Sequence, residues 1–314
     1  MIICCGEALI DMLPASTKDG QDAYVPHTGG SVFNTAVALG RLGARVGLVS
    51  GLSSDLFGRM LETDLTDANV DCSLIVHSKR PTTLAFVKLT DGHASYTFYD
   101  ENTAGRMLSE GDMPILPAQS KALFCGGISL AVEPGANAYV KMIEREAGQR
   151  TVMFDPNIRP DFISDEAAYR ARIARVLKVC SILKISDEDL DWLQPSGASS
   201  EDKVRSIVDP QIKIVTEGGG GATAYLPNDQ VVQVPAKTVS VVDTVGAGDT
   251  FNAGLLCFLD NREILGADLP DRLSILEVSE AMQFAHEVAA ITVSRKGADP
   301  PWAEELNGSG SLIV

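Results

Sequence analysis

The chain has 314 residues, 45% of them hydrophobic, and a formal net charge of −16. That length and apolar content can bury a large core as one domain, or as a domain with a small insertion, which excludes disorder as the main state. Lys and Arg are scattered rather than clustered, so nucleic-acid backbones and anionic membrane surfaces are repelled, and neither is expected as a partner. Cysteines at 4, 5, 72, 125, 180 and 257 form no CxxC pair and have no His at zinc-like spacing. Buried reduced thiols are expected. No stretch reaches the ~18 apolar residues needed to span a bilayer, and the opening MIICCGEALIDML lacks a basic n-region, so a cytoplasmic protein is expected.

Residues 2–10 predict a buried strand that runs into a polar loop at 14–24. GGSVFNTAVALGRLG at 29–43 follows, with Val32, Ala36, Leu39 and Leu42 at i, i+4, i+7 and i+10. This spacing predicts a helix with one apolar face, opened by a Gly pair and closed at Gly43. Arg45 to Val49 predicts a strand, and DLFGRMLETDLTDANV a helix leading to an edge segment. Alternating strands and helices imply βαβ units and a parallel sheet. Residues 82–99 break the alternation, because two β-rich runs flank a DGH turn with no helix between them. A small β insertion is expected there. Strands are next predicted near Ala122–Cys125, Thr151–Asp155, Ser181–Ser186 and Lys213–Thr216, with helices between them. ATAYLPNDQVVQVPA predicts a second hairpin, ahead of a long helical C-terminal third and a linker-like tail, NGSGSLIV, at 307–314.

The strongest chemical signal is VVDTVGAGDTFNAGLLCFL at 241–259. A β-rich run ends in a Gly-Ala-Gly-Asp turn, and Phe251, Leu255, Phe258 and Leu259 then recur at helical spacing, which puts the turn at a helix N-terminus. Small residues there let backbone N–H groups approach an anion closely, and the helix dipole adds positive potential. Asp249 stands against that anion hole, where the dipole favours the ionised form a general base needs. On these residues alone, Asp249 can equally be an ordinary N-cap.

With these segments in view, the chain resembles the ribokinase-like (PfkB) family of carbohydrate kinases. DTVGAGDTFNAGL at 243–255 and GGSVFNTAVALGRLG at 29–43 are similar to its two signatures, and the likeness extends from GEALID at 6–11 to RKGA at 295–298. The resemblance implies that Asp249 is the general base and that the amides of Gly246, Ala247 and Gly248 bind the transferring phosphoryl group. It further implies that Asp11, Gly29, Gly30 and Asn34 line a sugar site. A turn-capping Asp11 and a surface Asn34 are the plainer alternatives.

IVTEGGGGATAY at 214–225 resembles the family's strand and glycine loop around ATP, which points to Thr216, Gly218 and Gly221 as nucleotide contacts, with Lys184 beside them; a flexible turn is the other reading of the glycines. No GxxxxGK[ST] and no strand-linked GxGxxG occurs, so a P-loop enzyme and a dinucleotide-binding dehydrogenase lose their main support. Where many members carry Asn-x-x-Glu to organise a metal, this chain has Ser186 and Asp189. Asp189 is the candidate metal contact, acting through water, and an acidic helix start explains SDEDLD as well.

DPNIRPDF at 155–162 supplies Asp155, Asn157 and Arg159 at a strand end, the edge where open α/β sheets bind ligands. Arg159 is a candidate for the sugar or a phosphate, or else a surface Arg in a turn. This segment, with GGISLAVEP at 126–134 and FYDENTA at 98–104, looks more like fructokinases than like ribokinases, and 2-keto-3-deoxygluconate kinases are the next resemblance. Asp100 in the lid is expected to repel a sugar acid. The four histidines do not cluster and are expected to pack or face solvent.

The expected architecture is a three-layer α/β/α fold with a mostly parallel central sheet, formed by 1–11, 27–80 and 104–314, and a β lid from 12–26 and 81–103. The resemblance implies ATP and Mg²⁺, a monovalent cation as a further ion, a small-molecule sugar as partner, and a homodimer through the lid. A sugar-binding sensor without turnover is the alternative from a different class, and intact Asp249 argues against it.

Overall fold

A computed structural model describes residues 1–90, 93–197 and 199–306, apart from the side chains of 89–95 and 270. The DGH turn, beyond the backbone of His93, and the tail at 307–314 lie outside the described residues. In chain order the elements are β1 (Ile2–Cys5), β2 (Leu9–Ser16), β3 (Asp22–Gly29), α1 (Ser31–Arg41), β4 (Val46–Val49), β5 (Gly51–Ser53), α2 (Leu56–Asp67), β6 (Val76–Ser78), β7 (Leu84–Thr90) and β8 (His93–Tyr99). Then come β9 (Ala122–Gly126), α3 (Gly135–Glu146), β10 (Thr151–Asp155), α4 (Glu166–Leu177), β11 (Ile182–Ser186), α5 (Asp187–Leu193), α6 (Ser200–Ser206) and β12 (Ile212–Thr216). The series closes with β13 (Ala222–Tyr225), β14 (Val231–Val234), α7 (Ala247–Asn261), α8 (Leu269–Arg272), α9 (Ile275–Val293) and α10 (Ala303–Leu306).

Eight strands form the central sheet in the order β14-β13-β12-β11-β10-β9-β1-β4. Pairing is parallel from β4 through β12, and β13 and β14 add an antiparallel edge. Helices cover both faces, which is why β1, β9 and β10 are buried along their whole length and read as largely apolar, with Thr151 and Asp155 at the ends of β10. Alternate side chains divide between the layers. Ile2 and Cys4 join the core built by α1, α7 and α9, whereas Ile3 and Cys5 join the one built by α3 and α4. All six cysteines are free, five of them buried and Cys72 half-buried. Among the described residues no helix is long and apolar enough to cross a membrane.

A second sheet, ordered β3-β2-β7-β8, rises from the C-terminal edge of the first. The course of β2 corrects the expected single strand at 2–10 and the expected loop at 14–24. The chain leaves the central sheet after Cys5, where a side chain on Gly6 would stand 2.6 Å from Ser129 Oγ and from Val32 Cγ2. It then pairs with β3 as far as Ser16, so the irregular part shrinks to Thr17–Gln21. Beyond Ile10 no residue of the strand is fully buried, and Pro14 and Ser16 face solvent, so the sequence carries no strong apolar signal there. Pro14 is tolerated because pairing with β7 ends at Met12, leaving β2 an edge beyond it.

Candidate active site

Gly246 caps α7 in the left-handed region, with φ +76° and no capping side chain, and a Cβ there would sit 2.7 Å from Ala298 Cβ. Only glycine fits that turn. Asp249 is therefore not the cap. It occupies the third helical position, 7% exposed, on the side of the helix facing α1. Asn34 of α1 donates from Nδ2 to Asp249 Oδ2 at 2.8 Å, and Thr35 Oγ1 reaches the Asp249 carbonyl at 3.3 Å.

The helix dipole does not win the contest over the Asp249 carboxyl. Burial pushes it up to about 7, helped by repulsion from Asp155, while the Asn34 bond, Lys184 and Arg159 pull the other way. A carboxyl poised near neutrality suits a group that must accept a proton and later release it.

Next to this turn opens a cleft of about 300 Å³ whose walls include Asp11, Gly30, Asn34, Tyr96, Phe98, Asn157, Arg159 and the stretch from Thr244 to Asp249. The structure thus gathers Asp11, Gly30, Asn34, Arg159, Gly246, Ala247, Gly248 and Asp249 around one space, from both sheets. Gly29 stands one step back, where any side chain would overlap the Asp11 carboxylate. Burial raises Asp11 to about 6 against the pull of Arg159. Of the three amides expected to bind a phosphoryl group, that of Ala247 already donates to the Thr244 carbonyl at 3.2 Å.

Beneath the turn lies a buried polar group that the sequence does not announce. Lys184 is 3% exposed and donates to Asp155 Oδ2 at 2.9 Å, and Asn252 of α7 donates to the same oxygen at 2.7 Å. Lys184 Nζ would be 3.2 Å from a Cβ on Gly248, so the ammonium sits under the anion hole instead of reaching along an open nucleotide groove.

Thr216, Gly218 and Gly221 do not line the cleft. Thr216 ends β12, and Gly218 opens a short 3-10 turn with free space where a Cβ would be. Gly221 has a structural reason for being glycine, because at φ +104° a side chain would overlap the Val234 carbonyl across the hairpin. Ser186 caps α5 by accepting the Asp189 N–H at 3.1 Å. Asp189 accepts the Ile158 N–H at 3.2 Å, and burial, with Asp155 near, pushes its carboxyl up to about 6. No group of three potential metal-binding side chains occurs among the described residues. A single carboxylate fits a magnesium ion that keeps its waters and arrives with phosphates, not one held in a protein cage.

Asp100 is also misplaced by the sequence reading. It is buried, accepting from Thr83 at 2.7 Å and Thr103 at 2.9 Å, with Arg106 at 3.8 Å, and it faces a separate chamber of about 30 Å³ behind Glu7 and Ile128. Sequence reasoning missed Glu7, Tyr96, Phe98 and Thr244 as cleft residues; the alternation of β8, with Tyr96 and Phe98 on one face, was the available signal for two of them.

This arrangement, two signature segments meeting at one helix N-terminus, has counterparts. The sequence matches the pfkB family of carbohydrate kinases over residues 1–305. The chain belongs to that family. It is 46% identical over 266 residues to a fructokinase of Rhizobium leguminosarum bv. trifolii, covering 84% of this chain and 81% of the relative. Among solved structures, a fructokinase of Xylella fastidiosa with bound ATP aligns with TM-score 0.89 and 29% identity over 98% of this chain and 97% of that one. A fructokinase double mutant of Vibrio cholerae O395, bound to fructose, ADP and a potassium ion, aligns with TM-score 0.81 and 28% identity over 95% and 93%. The kinase family expected from the two signatures, and its α/β fold with a second small sheet, are thereby borne out.

Proposed function

We propose that this pfkB-family protein transfers the γ-phosphoryl group of ATP to a terminal hydroxyl of fructose. The observation that carries the reading is Asp249 at the positive end of α7, held by Asn34 and lining a cleft that Asp11 and Arg159 also line. The Asp249 carboxylate accepts the hydroxyl proton, and the first turn of α7 stabilises charge on the transferring group. Asp11 accepts hydrogen bonds from sugar hydroxyls, and Tyr96 and Phe98 supply an apolar wall. Thr216, Gly218 and Gly221 serve the nucleotide side, where magnesium, when bound, would neutralise phosphate charge from Asp189 through water.

Charge favours a neutral sugar over a sugar acid. Arg159 is the one Lys or Arg among the described lining residues, and it already faces the Asp11 and Asp249 carboxyls. A buried carboxylate without a dedicated cation is costly. The second sheet, from β2 and β3 at 9–29 and from β7 and β8 at 84–99, covers the sugar and limits water. Its exposed Tyr24 and Tyr99 flank Phe86 and support pairing of two copies through that sheet; a monomer mass in sedimentation at micromolar concentration would remove that part.

Steady-state rates with saturating Mg-ATP test the substrate. Fructose is expected to exceed 2-keto-3-deoxygluconate in kcat/KM by at least about tenfold, ~1.4 kcal/mol in transition-state binding. A preference for the acid, or no turnover of either sugar, overturns the reading.

A further inference from the structure

We propose that Glu7 is a positioning residue, whose carboxylate seats the first turn of α1 so that Asn34, one turn along, holds Asp249. The proposal rests on the reading of Asp249 as the base. A carboxylate in a sugar cleft invites assignment as a sugar ligand, but the oxygens of Glu7 are engaged by protein. Ser31 Oγ donates to Oε1 at 2.7 Å, and the Val32 N–H reaches the same oxygen at 3.4 Å. Ser129 Oγ donates to Oε2 while accepting the Glu7 N–H at 2.7 Å.

The surroundings are shaped around this side chain. Gly127 and Gly30 both adopt positive φ, at +65° and +105°. A Cβ on Gly127 would overlap the carboxylate oxygens, and one on Gly30 would stand 3.1 Å from Glu7 Cγ. Three segments therefore converge on one side chain: the link from β1 to β2, the start of α1, and the turn after β9.

The need for such a device follows from α1 itself. Its N-cap is Gly30, which offers no side chain, and its first turn carries no acidic residue. The orphan N–H groups and positive end of the helix require a partner from elsewhere, and Glu7 provides it. Asn34 N–H bonds the Gly30 carbonyl at 2.8 Å, and its side chain bonds Asp249. An error in where the first turn sits is thus passed on to the base.

The test reads the Asp249 carboxyl directly. That group meets Asn34 from α1, Asp155 from β10, Lys184 from β11 and Arg159 from the loop after β10. Glu7 acts on it through Asn34, whose bond favours the carboxylate. Carbon-13 carboxyl titration of the ligand-free full chain, with Asp249→Asn identifying the resonance, is expected to show the midpoint rising by about half a unit or more in Glu7→Ala. Glu7→Gln keeps the length and an acceptor for Ser31, and is expected to restore the midpoint. In turnover, Ala should lower kcat ~10- to 100-fold and move the acid limb of the pH profile upward with sugar KM little changed, and Gln should recover most of the rate.

An unchanged Asp249 midpoint in Glu7→Ala overturns the proposal. So does a raised sugar KM at unchanged kcat that Gln fails to rescue, since that marks a direct ligand. Should the Ala variant not fold, Ser31→Ala removes one donor alone and must still move the midpoint upward. The titration decides the role of Glu7 whether or not any sugar is turned over.

Discussion

Asn34 and Asp249 are joined by a 2.8 Å hydrogen bond although 215 residues of chain separate them. The bond favours the Asp249 carboxylate, but burial is the larger influence and leaves the group near 7.

The pH dependence follows from that balance. A base must be deprotonated, so kcat/KM for the sugar, which reports the free enzyme, is expected to fall as pH drops below about 7, where an unperturbed aspartate would not titrate until near pH 4. Asp249→Asn should lose ~10²- to 10⁴-fold in kcat and abolish that limb. The sign for stability is the reverse. A carboxyl whose pKa is higher folded than unfolded is least favourable to the fold once ionised, so wild type loses stability between about pH 4 and 7, and Asp249→Asn should melt higher at pH 8. Thermal melts at pH 5 and 8 check this; an Asn variant no more stable at pH 8 rejects the burial account.

Lys184 is expected to matter twice. Lys184→Met leaves Asp155 buried without its cation, a change that costs about 3–5 kcal/mol in comparable buried pairs. Urea unfolding reads that loss. Since Lys184 also favours the ionised form of Asp249, the acid limb of kcat/KM should move to higher pH. A variant with wild-type stability and an unmoved limb would show that the buried pair is not coupled to the base.

The two glycines of the turn should respond differently. Gly246 is left-handed and crowded by Ala298, so Gly246→Ala should destabilise the protein by ~1–2 kcal/mol and disable it. Gly248 lies in the helix without positive φ, and a Cβ there would meet only Lys184 Nζ. Gly248→Ala should therefore keep the fold while slowing turnover; melting temperature and kcat measured together separate the two cases.

Much of the scaffold was legible because its signals are local. Val32, Ala36 and Leu39 of α1 and Leu42 at its C-cap repeat at helical spacing and are buried, and the segments 122–125 and 151–155 are central strands. The turn at Gly246 was legible for the same reason. What the sequence concealed depends on partners far along the chain. Pro14, Ala15 and Ser16 continue a strand because β3 pairs with them, Lys184 is buried because Asp155 awaits it, and Asp100 turns inward to Thr83 and Thr103. No periodicity within a few residues encodes such pairings.

The place of β1 in the sheet bears on how the chain is made. It lies between β4 and β9, so one edge of IICC finds its neighbour within fifty residues, and the other must wait for residues 122–126. A nascent chain that has passed β4 but not β9 presents a buried-type apolar strand with an open edge, the kind of surface on which half-made chains associate. Ribosome-bound chains arrested in that interval should therefore be the ones most dependent on chaperones, and release from that dependence should coincide with the emergence of β9.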